Sequence, residues 1–231
     1  PDLIPLIDDL LELPDLAWLR LLYLYPAGLK APLLERMADP GNKLLPYFDV
    51  PLQHAHPEIL KAMGRPFARD PRRVIDTIRQ AVPDAVIRTS LITGFPGEGP
   101  EHFQSLVSLV TETRFHHLGI FAYQPEEGTV AAGLPDQLPN EVRQTRADEL
   151  MTLQAEISED LLEELTGQEM PVLVDEPYPE WPGLHIGRVW FQAPEVDGIT
   201  YVSGPGVAPG QLVPASIEET KIYDLVALSL L

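Results

Sequence analysis

The sequence predicts a parallel α/β half followed by a small all-β barrel. Three observations carry that reading. Apolar runs of strand length alternate with helical patterns from residue 18 to residue 165, in four strand-then-helix steps. Alternation of this kind argues for a parallel sheet or a (β/α) barrel. Beyond Gly167 the texture changes to short apolar runs separated by Pro/Gly/Asp turns, which suits a small all-β barrel. The 231 residues give room for one large domain or two.

The elements follow in order. Leu3–Leu13 carries apolar residues at helical spacing and ends at Pro14. Trp18–Tyr25 (WLRLLYLY) is a continuous apolar run, the pattern of a buried parallel strand. A short helix over 32–37 precedes a turn at Asp39-Pro40-Gly41-Asn42. A strand over 44–50 then runs into the polar cluster Asp49, Gln53, His54 and His56, and Pro57 opens a helix over 57–63. Asp70 caps a helix with inner face Val74, Ile75, Ile78 and Val82. Ala85–Ile92 is strand, 100–113 helix with inner face Phe103, Leu106, Val107 and Val110, and His117–Tyr123 strand. After a linker over 134–140, Asn140 caps a long helix, 141–165, and Gly167 stands where a helix C-terminus favours glycine. Five short runs follow: VLVD, HIGRVWF, ITYVSG, QLVPASI and YDLVALSLL. Trp181, Trp190 and Phe191 are expected in the barrel core. The expected domains are 1–166 and 167–231.

Composition narrows the function classes. Net charge is −19, from 16 basic and 35 acidic side chains. Such a surface repels phosphate backbones and attracts basic partners. No apolar run has the length of a membrane span, and no membrane association is expected. The opening PDLIPLIDDL has no basic n-region and no initiator Met, and it starts within a helical pattern; a fragment of a longer chain is expected. The chain has no cysteine. That removes disulfides, thiolate nucleophiles and thiolate metal ligands, and fits a reducing compartment; the expected location is cytoplasmic.

Three polar loops follow predicted strands, at 49–56, 88–98 and 123–129. In a (β/α) barrel they gather at the C-terminal rim, where ligands bind. Thr93–Gly99 is Gly-rich and meets a helix N-terminus, an arrangement suited to a polar or anionic ligand, though a plain strand–helix turn reads the same way. Arg88 lies within an apolar strand. Pointing inward it needs an anionic partner, such as a ligand carboxylate; at an edge it faces solvent. His54 and His56 with Asp49 invite a metal reading, but their spacing matches no metal pattern and hydrogen-bonded loop histidines are the better expectation. His116-His117 reads as a capping or surface pair.

The segments PYFDVPLQHAHPEILKAMGRP, IRTSLITGFPGEGPEHF and FAYQPEEGTVAAGLPDQLPNEVRQTRADELMTLQ strongly resemble the radical S-adenosylmethionine methylthiotransferases, and the C-terminal barrel resembles their TRAM domain. Residues 1–166 would then be the C-terminal part of a partial (β/α) radical SAM barrel, beginning after its second strand. QAPEVDG (192–198) and IYDLVA (222–227) resemble the RimO branch, which methylthiolates an aspartate of small-subunit ribosomal protein S-twelve. The MiaB-like branch, which modifies a tRNA adenosine, and an acidic binding module without catalysis are the alternatives. Charge favours the protein substrate. Residues 167–231 hold nine acidic side chains against Arg188 and Lys221, a net −7, which should attract a basic ribosomal protein and repel tRNA.

The resemblance implies S-adenosylmethionine and two [4Fe–4S] clusters. The family holds each cluster on three cysteines, and this chain has none, so it is expected to be inactive alone. No residue here is assigned a catalytic or metal-ligating role. By resemblance, Gln53 and His54 line the site near the cofactor. Arg88, followed by Thr89, meets the methionine carboxylate. Gly94, Phe95, Pro96, Gly97 and Glu98 pass beneath the adenosyl group. Tyr123 and the Gly128-Thr129 turn close the adenine side.

Overall fold

The computed structural model describes residues 3–39, 41, 43–65 and 70–231. Pro40 and Asn42 of the predicted 39–42 turn lie outside the described residues. The chain divides into two compact units, 1–154 and 155–231.

The first unit opens with α1 (Leu3–Leu11) and α2 (Ala31–Met37). It then builds β1 (Tyr47–Asp49), α3 (Pro57–Ala62), α4 (Pro71–Ala81), β2 (Val86–Thr93), α5 (Pro100–Thr113) and β3 (His117–Ala122). A long helix, α6 (Asn140–Glu163), follows. The helix starts lie where capping chemistry puts them. Asp70 accepts a bond from Arg73 N at 3.1 Å ahead of α4, and proline stands in the first turn of α2, α3, α4 and α5. α5 ends with Arg114 in the left-handed region, φ +48°.

The three strands form one parallel sheet in the order β1-β2-β3. Asp49 pairs with Arg88, and Arg88 with His117, so their side chains share one face. Along β2 the residues alternate: Ile87, Thr89, Leu91 and Thr93 are buried, while Arg88, Ser90 and Ile92 are half-buried. One face of β2 is therefore sealed and the other half-buried, and the half-buried face carries Arg88 and Ser90. His116, expected at a cap or the surface, is half-buried and accepts a bond from Ile87 N at 3.2 Å.

Trp18–Tyr25 is not a strand, which corrects the expected first step. Its backbone runs beside β1 at both ends, through Leu19 N to Lys43 O at 2.7 Å, Leu45 N to Leu19 O at 2.9 Å and Leu24 N to Asp49 O at 2.7 Å. Between them Tyr23 turns the chain with φ +56°. Its N–H leaves the ladder and donates to the Asp49 carboxylate at 3.0 Å. Leu22, Tyr23 and Tyr25 end up exposed. An apolar run specifies burial, and here a side-chain acceptor competes with the ladder.

The second unit is a closed barrel of β4 (Glu169–Pro177), β5 (Leu184–Arg188), β6 (Thr200–Ser203), β7 (Leu212–Thr220) and β8 (Leu225–Ser229), in the order β4-β5-β6-β8-β7. All five predicted runs become strands. Val172, Val174, Val189, Val202, Val213, Ile217 and Leu225 fill the interior at alternate positions. Bulges at Val174/Glu176 and Ile217/Glu219 bend the two longest strands so the sheet closes. Gly187 is required where strands cross closely, because a Cβ there would meet Leu173 O at 2.5 Å. Gln192 is buried, and its Oε1 accepts from Val189 N at 3.0 Å and Thr200 Oγ1 at 2.6 Å. Of the expected aromatic core, Phe191 is buried and stacks edge-on with half-buried Trp190. Trp181 is 69% exposed in the turn before β5 and is not core.

Candidate functional site

The first two loops and Tyr123 of the third meet at the C-terminal ends of the parallel strands. The first is pinned from both sides. Gln53 N donates to Ser90 O, and Ile92 N to Gln53 O, each at 2.8 Å. These bonds hold Gln53 at φ +72°, a conformation that a non-glycine residue adopts only under constraint. Thr89 completes the clamp from the sealed face. Its hydroxyl donates to Val50 O at 2.7 Å and accepts from Leu52 N at 3.1 Å.

On the half-buried face, Arg88 lies 3.4 Å from Asp49 Oδ1, with 15% of its side chain exposed. The inward arginine thus finds an anionic partner within the chain.

Behind the loops lies a fully buried network. His54 Nε2 is 3.1 Å from Glu98 Oε2, and both side chains have no exposure. His54 Nδ1 accepts the His56 N–H at 2.9 Å, so the proton resides on Nε2, which donates to Glu98. Glu98 also accepts from Gly94 N at 2.9 Å and from Arg146 at 2.6 Å, and the same guanidinium reaches Glu98 O at 2.8 Å. Burial lowers the His54 pKa more than the Glu98 charge raises it, and the ring is neutral. For Glu98 burial pushes upward, but bonds from His54, Gly94 N and Arg146 together outweigh it and hold the carboxyl below the usual range. This network ties the first loop to the second and both to α6.

The remaining residues divide into two groups. Gly94 (φ +70°) lies so close to α6 that a Cβ would collide with the Arg143 side chain. Thr93 Oγ1 donates to Arg143 O at 3.1 Å, and the Arg143 guanidinium donates to Tyr123 O. Phe95 and Tyr123 meet edge to face with centroids 5.2 Å apart, in a buried cluster with Ile59. Pro96 is buried, whereas Gly97 (φ +83°) is exposed and donates its N–H to Asp136 O at 3.1 Å. Gly128 and Thr129 lie apart from this cluster in an exposed turn, where Thr129 Oγ1 donates to Glu126 O at 2.8 Å. Two surface cavities, of about 530 and 320 Å³, open elsewhere, beside α1–α2 and beside α5–α6.

Sequence reasoning missed three partners. Arg143 and Arg146 stand one helical turn apart at the start of an otherwise acidic helix, and that spacing was the available signal. His102 joins His56 and Glu58 on the far side of the first loop. Their donor atoms lie within 4.8 Å of one another, so the metal-type cluster uses His56 but neither His54 nor Asp49. The chain holds no cysteine, hence no thiolate that fits an iron–sulfur cluster, and no step is built on that group. Among the described residues no helix is long and apolar enough to cross a membrane.

Comparison with known proteins gives the same two parts. The Radical SAM superfamily matches residues 1–110, and the TRAM domain matches residues 166–229. The chain is 63% identical over 224 residues to the protein of Nitratidesulfovibrio vulgaris strain Hildenborough named ribosomal protein uS12 methylthiotransferase RimO, covering 97% of this chain and 52% of that relative. Proteins of the same name from Oleidesulfovibrio alaskensis and Lawsonia intracellularis are 58% and 53% identical, again over 97% of this chain. The chain spans about half the length of the curated relatives it matches.

Proposed function

We propose that this chain, which is similar to the RimO type of the radical S-adenosylmethionine methylthiotransferases, forms part of the S-adenosylmethionine barrel and the TRAM domain of an enzyme that methylthiolates an aspartate of ribosomal protein uS12. The observation that carries this is the 63% identity over 97% of the chain to a protein bearing that name. The cofactors of the whole enzyme are S-adenosylmethionine and [4Fe–4S] clusters, whose thiolate ligands are not among these residues. The domain division is placed at 166/167, supported by the start of the TRAM match at residue 166.

The sequence-derived site residues divide into two tiers, and His54, Thr89 and Glu98 move from contact with the cofactor to the second. Arg88 receives the methionine carboxylate, supported by its place on the half-buried face of the sheet's central strand. Gln53 lines the same rim. Gly94, Phe95, Pro96 and Gly97 pass beneath the adenosyl group, and Tyr123 and Gly128-Thr129 close the adenine side. His54, Thr89 and Glu98 are positioning residues, because their polar atoms are already used in holding the loops.

The barrel docks uS12. Glu169, Asp175, Glu176, Glu180, Glu195, Glu218 and Glu219 are exposed, whereas Arg188 is paired with Asp175 and Lys221 lies over the Tyr201 ring. That leaves an acidic surface suited to a basic protein and unsuited to tRNA. The test is equilibrium binding of this chain to purified uS12 and to tRNA across a salt series. Binding of uS12 that weakens as salt rises, with tRNA unbound, supports the proposal. Binding of tRNA in preference to uS12 sinks it.

A further inference from the structure

The helices α3 and α5 bring together a set of side chains that the cofactor site does not use. His56 caps α3, Glu58 stands in its first turn, and His102 stands in the first turn of α5. The two imidazole rings lie 4.3 Å apart between centroids, tilted by 57°. His102 Nε2 is 3.5 Å from Glu58 Oε2. One donor atom from each of the three lies within 4.8 Å of the others.

We propose that His56, Glu58 and His102 form a binding site for a divalent transition cation of the zinc type. A tetrahedral zinc with nitrogen and oxygen ligands at about 2.0–2.2 Å needs its donors roughly 3.4 Å apart. The His102–Glu58 edge already has that length. The other edges close by small side-chain rotations, which are free here because Glu58 is exposed and His56 half-buried. Two imidazoles and one carboxylate are a mixed nitrogen–oxygen set, which suits zinc and its neighbours and not calcium or magnesium.

His102 Nδ1 accepts the Gly99 N–H at 2.9 Å and lies 3.1 Å from Gly97 O, while Nε2 faces Glu58, so the metal-free ring carries its proton on Nε2. Metal-ligating histidines characteristically donate their other ring N–H to a backbone carbonyl. Cation binding therefore moves the His102 proton to Nδ1, where it donates to Gly97 O in place of the Gly99 bond, and the Nε2 lone pair goes to the metal. His56 gives up only a long 3.3 Å capping bond from Glu58 N. The two helix N-termini carry partial positive charge and oppose a bare cation. The Glu58 carboxylate offsets this locally, and the net charge of −19 favours cations at the surface. With three protein ligands, the fourth position is left to water. Such an ion staples the 53–58 loop to the Gly97–Gly99 loop.

The test uses Zn²⁺ alone on the metal-free chain, by equilibrium dialysis with elemental analysis and by titration calorimetry. Co²⁺ then serves as a spectroscopic probe of tetrahedral coordination. The expected result is one Zn²⁺ per chain and a tetrahedral Co²⁺ spectrum, with no competition from excess Mg²⁺. Glu58→Gln and His56→Gln should each weaken binding by about tenfold or more, because even outer-shell losses cost 10–100-fold. His102→Gln should do the same; should it fail to fold, the two other variants, which alter exposed or half-buried side chains, decide the matter. Absence of bound Zn²⁺, or binding unchanged by Glu58→Gln and His56→Gln, overturns the proposal.

Discussion

Replacing Glu98 with alanine tests whether the buried network positions the loops. The Glu98 side chain has no exposure, and it accepts from His54, Gly94 N and Arg146. Its removal strands two buried neutral donors and a guanidinium that is only 13% exposed. An unsatisfied buried donor costs about 1–3 kcal/mol, and breaking a buried ion pair about 3–5 kcal/mol. These terms overlap because Arg146 reaches some water, so the expected loss is about 4 kcal/mol. Glu98→Gln keeps one acceptor oxygen and should lose roughly 2 kcal/mol. Urea unfolding followed by far-UV circular dichroism reads the helical unit, while tryptophan fluorescence in a Trp18→Phe background reports on the barrel through Trp181 and Trp190. The dichroic transition should move and the barrel transition should stay. The pH dependence has a definite sign. His54 is held neutral in the folded chain, so wild-type stability falls as pH drops below the ordinary histidine value of 6.5. The Glu98 pKa is depressed, so its contribution is complete above the unfolded value, near 4.5, and is lost as pH falls through the lower folded one. Glu98→Ala should therefore be less stable throughout and flatter below about pH 4.5. A loss under about 1 kcal/mol, or an unchanged acid slope, would refute the reasoning.

Gly94→Ala forces a side chain into the left-handed region and against Arg143; a loss of about 3 kcal/mol in the same assay is expected, and a neutral result would show that α6 yields. His116 is lowered to about 4 by burial, with His117 and Arg79 adding to the shift. Stability should drop by up to about 3 kcal/mol as pH falls from 6.5 to 4, and His116→Gln should remove most of that slope in acid titrations. Arg88→Ala should weaken S-adenosylmethionine binding by about tenfold or more in calorimetry on the cluster-loaded, full-length protein; unchanged affinity would remove Arg88 from the carboxylate site.

Much of the fold was legible because its signals are local. Asp70-Pro71 and Gly99-Pro100 each announce a helix start, and α4 and α5 begin there. The five barrel strands fall between turn residues that only certain backbones accept. Trp18–Tyr25 misled because an apolar run does not reveal that Asp49 will capture the Tyr23 N–H. The loops of the site were legible from their position after strands, but their internal wiring was not. Nothing near Glu98 in sequence indicates that Arg146, 48 residues on, completes its coordination. The same holds for His102, which meets His56 and Glu58 only because α3 and α5 start side by side. Local propensity sets elements, whereas buried polar partners are set by tertiary contact.

The central claim is the identity of the substrate. The direct measurement is mass spectrometry of uS12 and of bulk tRNA after incubation with the full-length natural protein, loaded anaerobically with its clusters and supplied with S-adenosylmethionine, a sulfur source and a reductant. The account predicts one methylthio group on a uS12 aspartate and unmodified tRNA. A methylthio group on a tRNA adenosine, with uS12 unchanged, would contradict it.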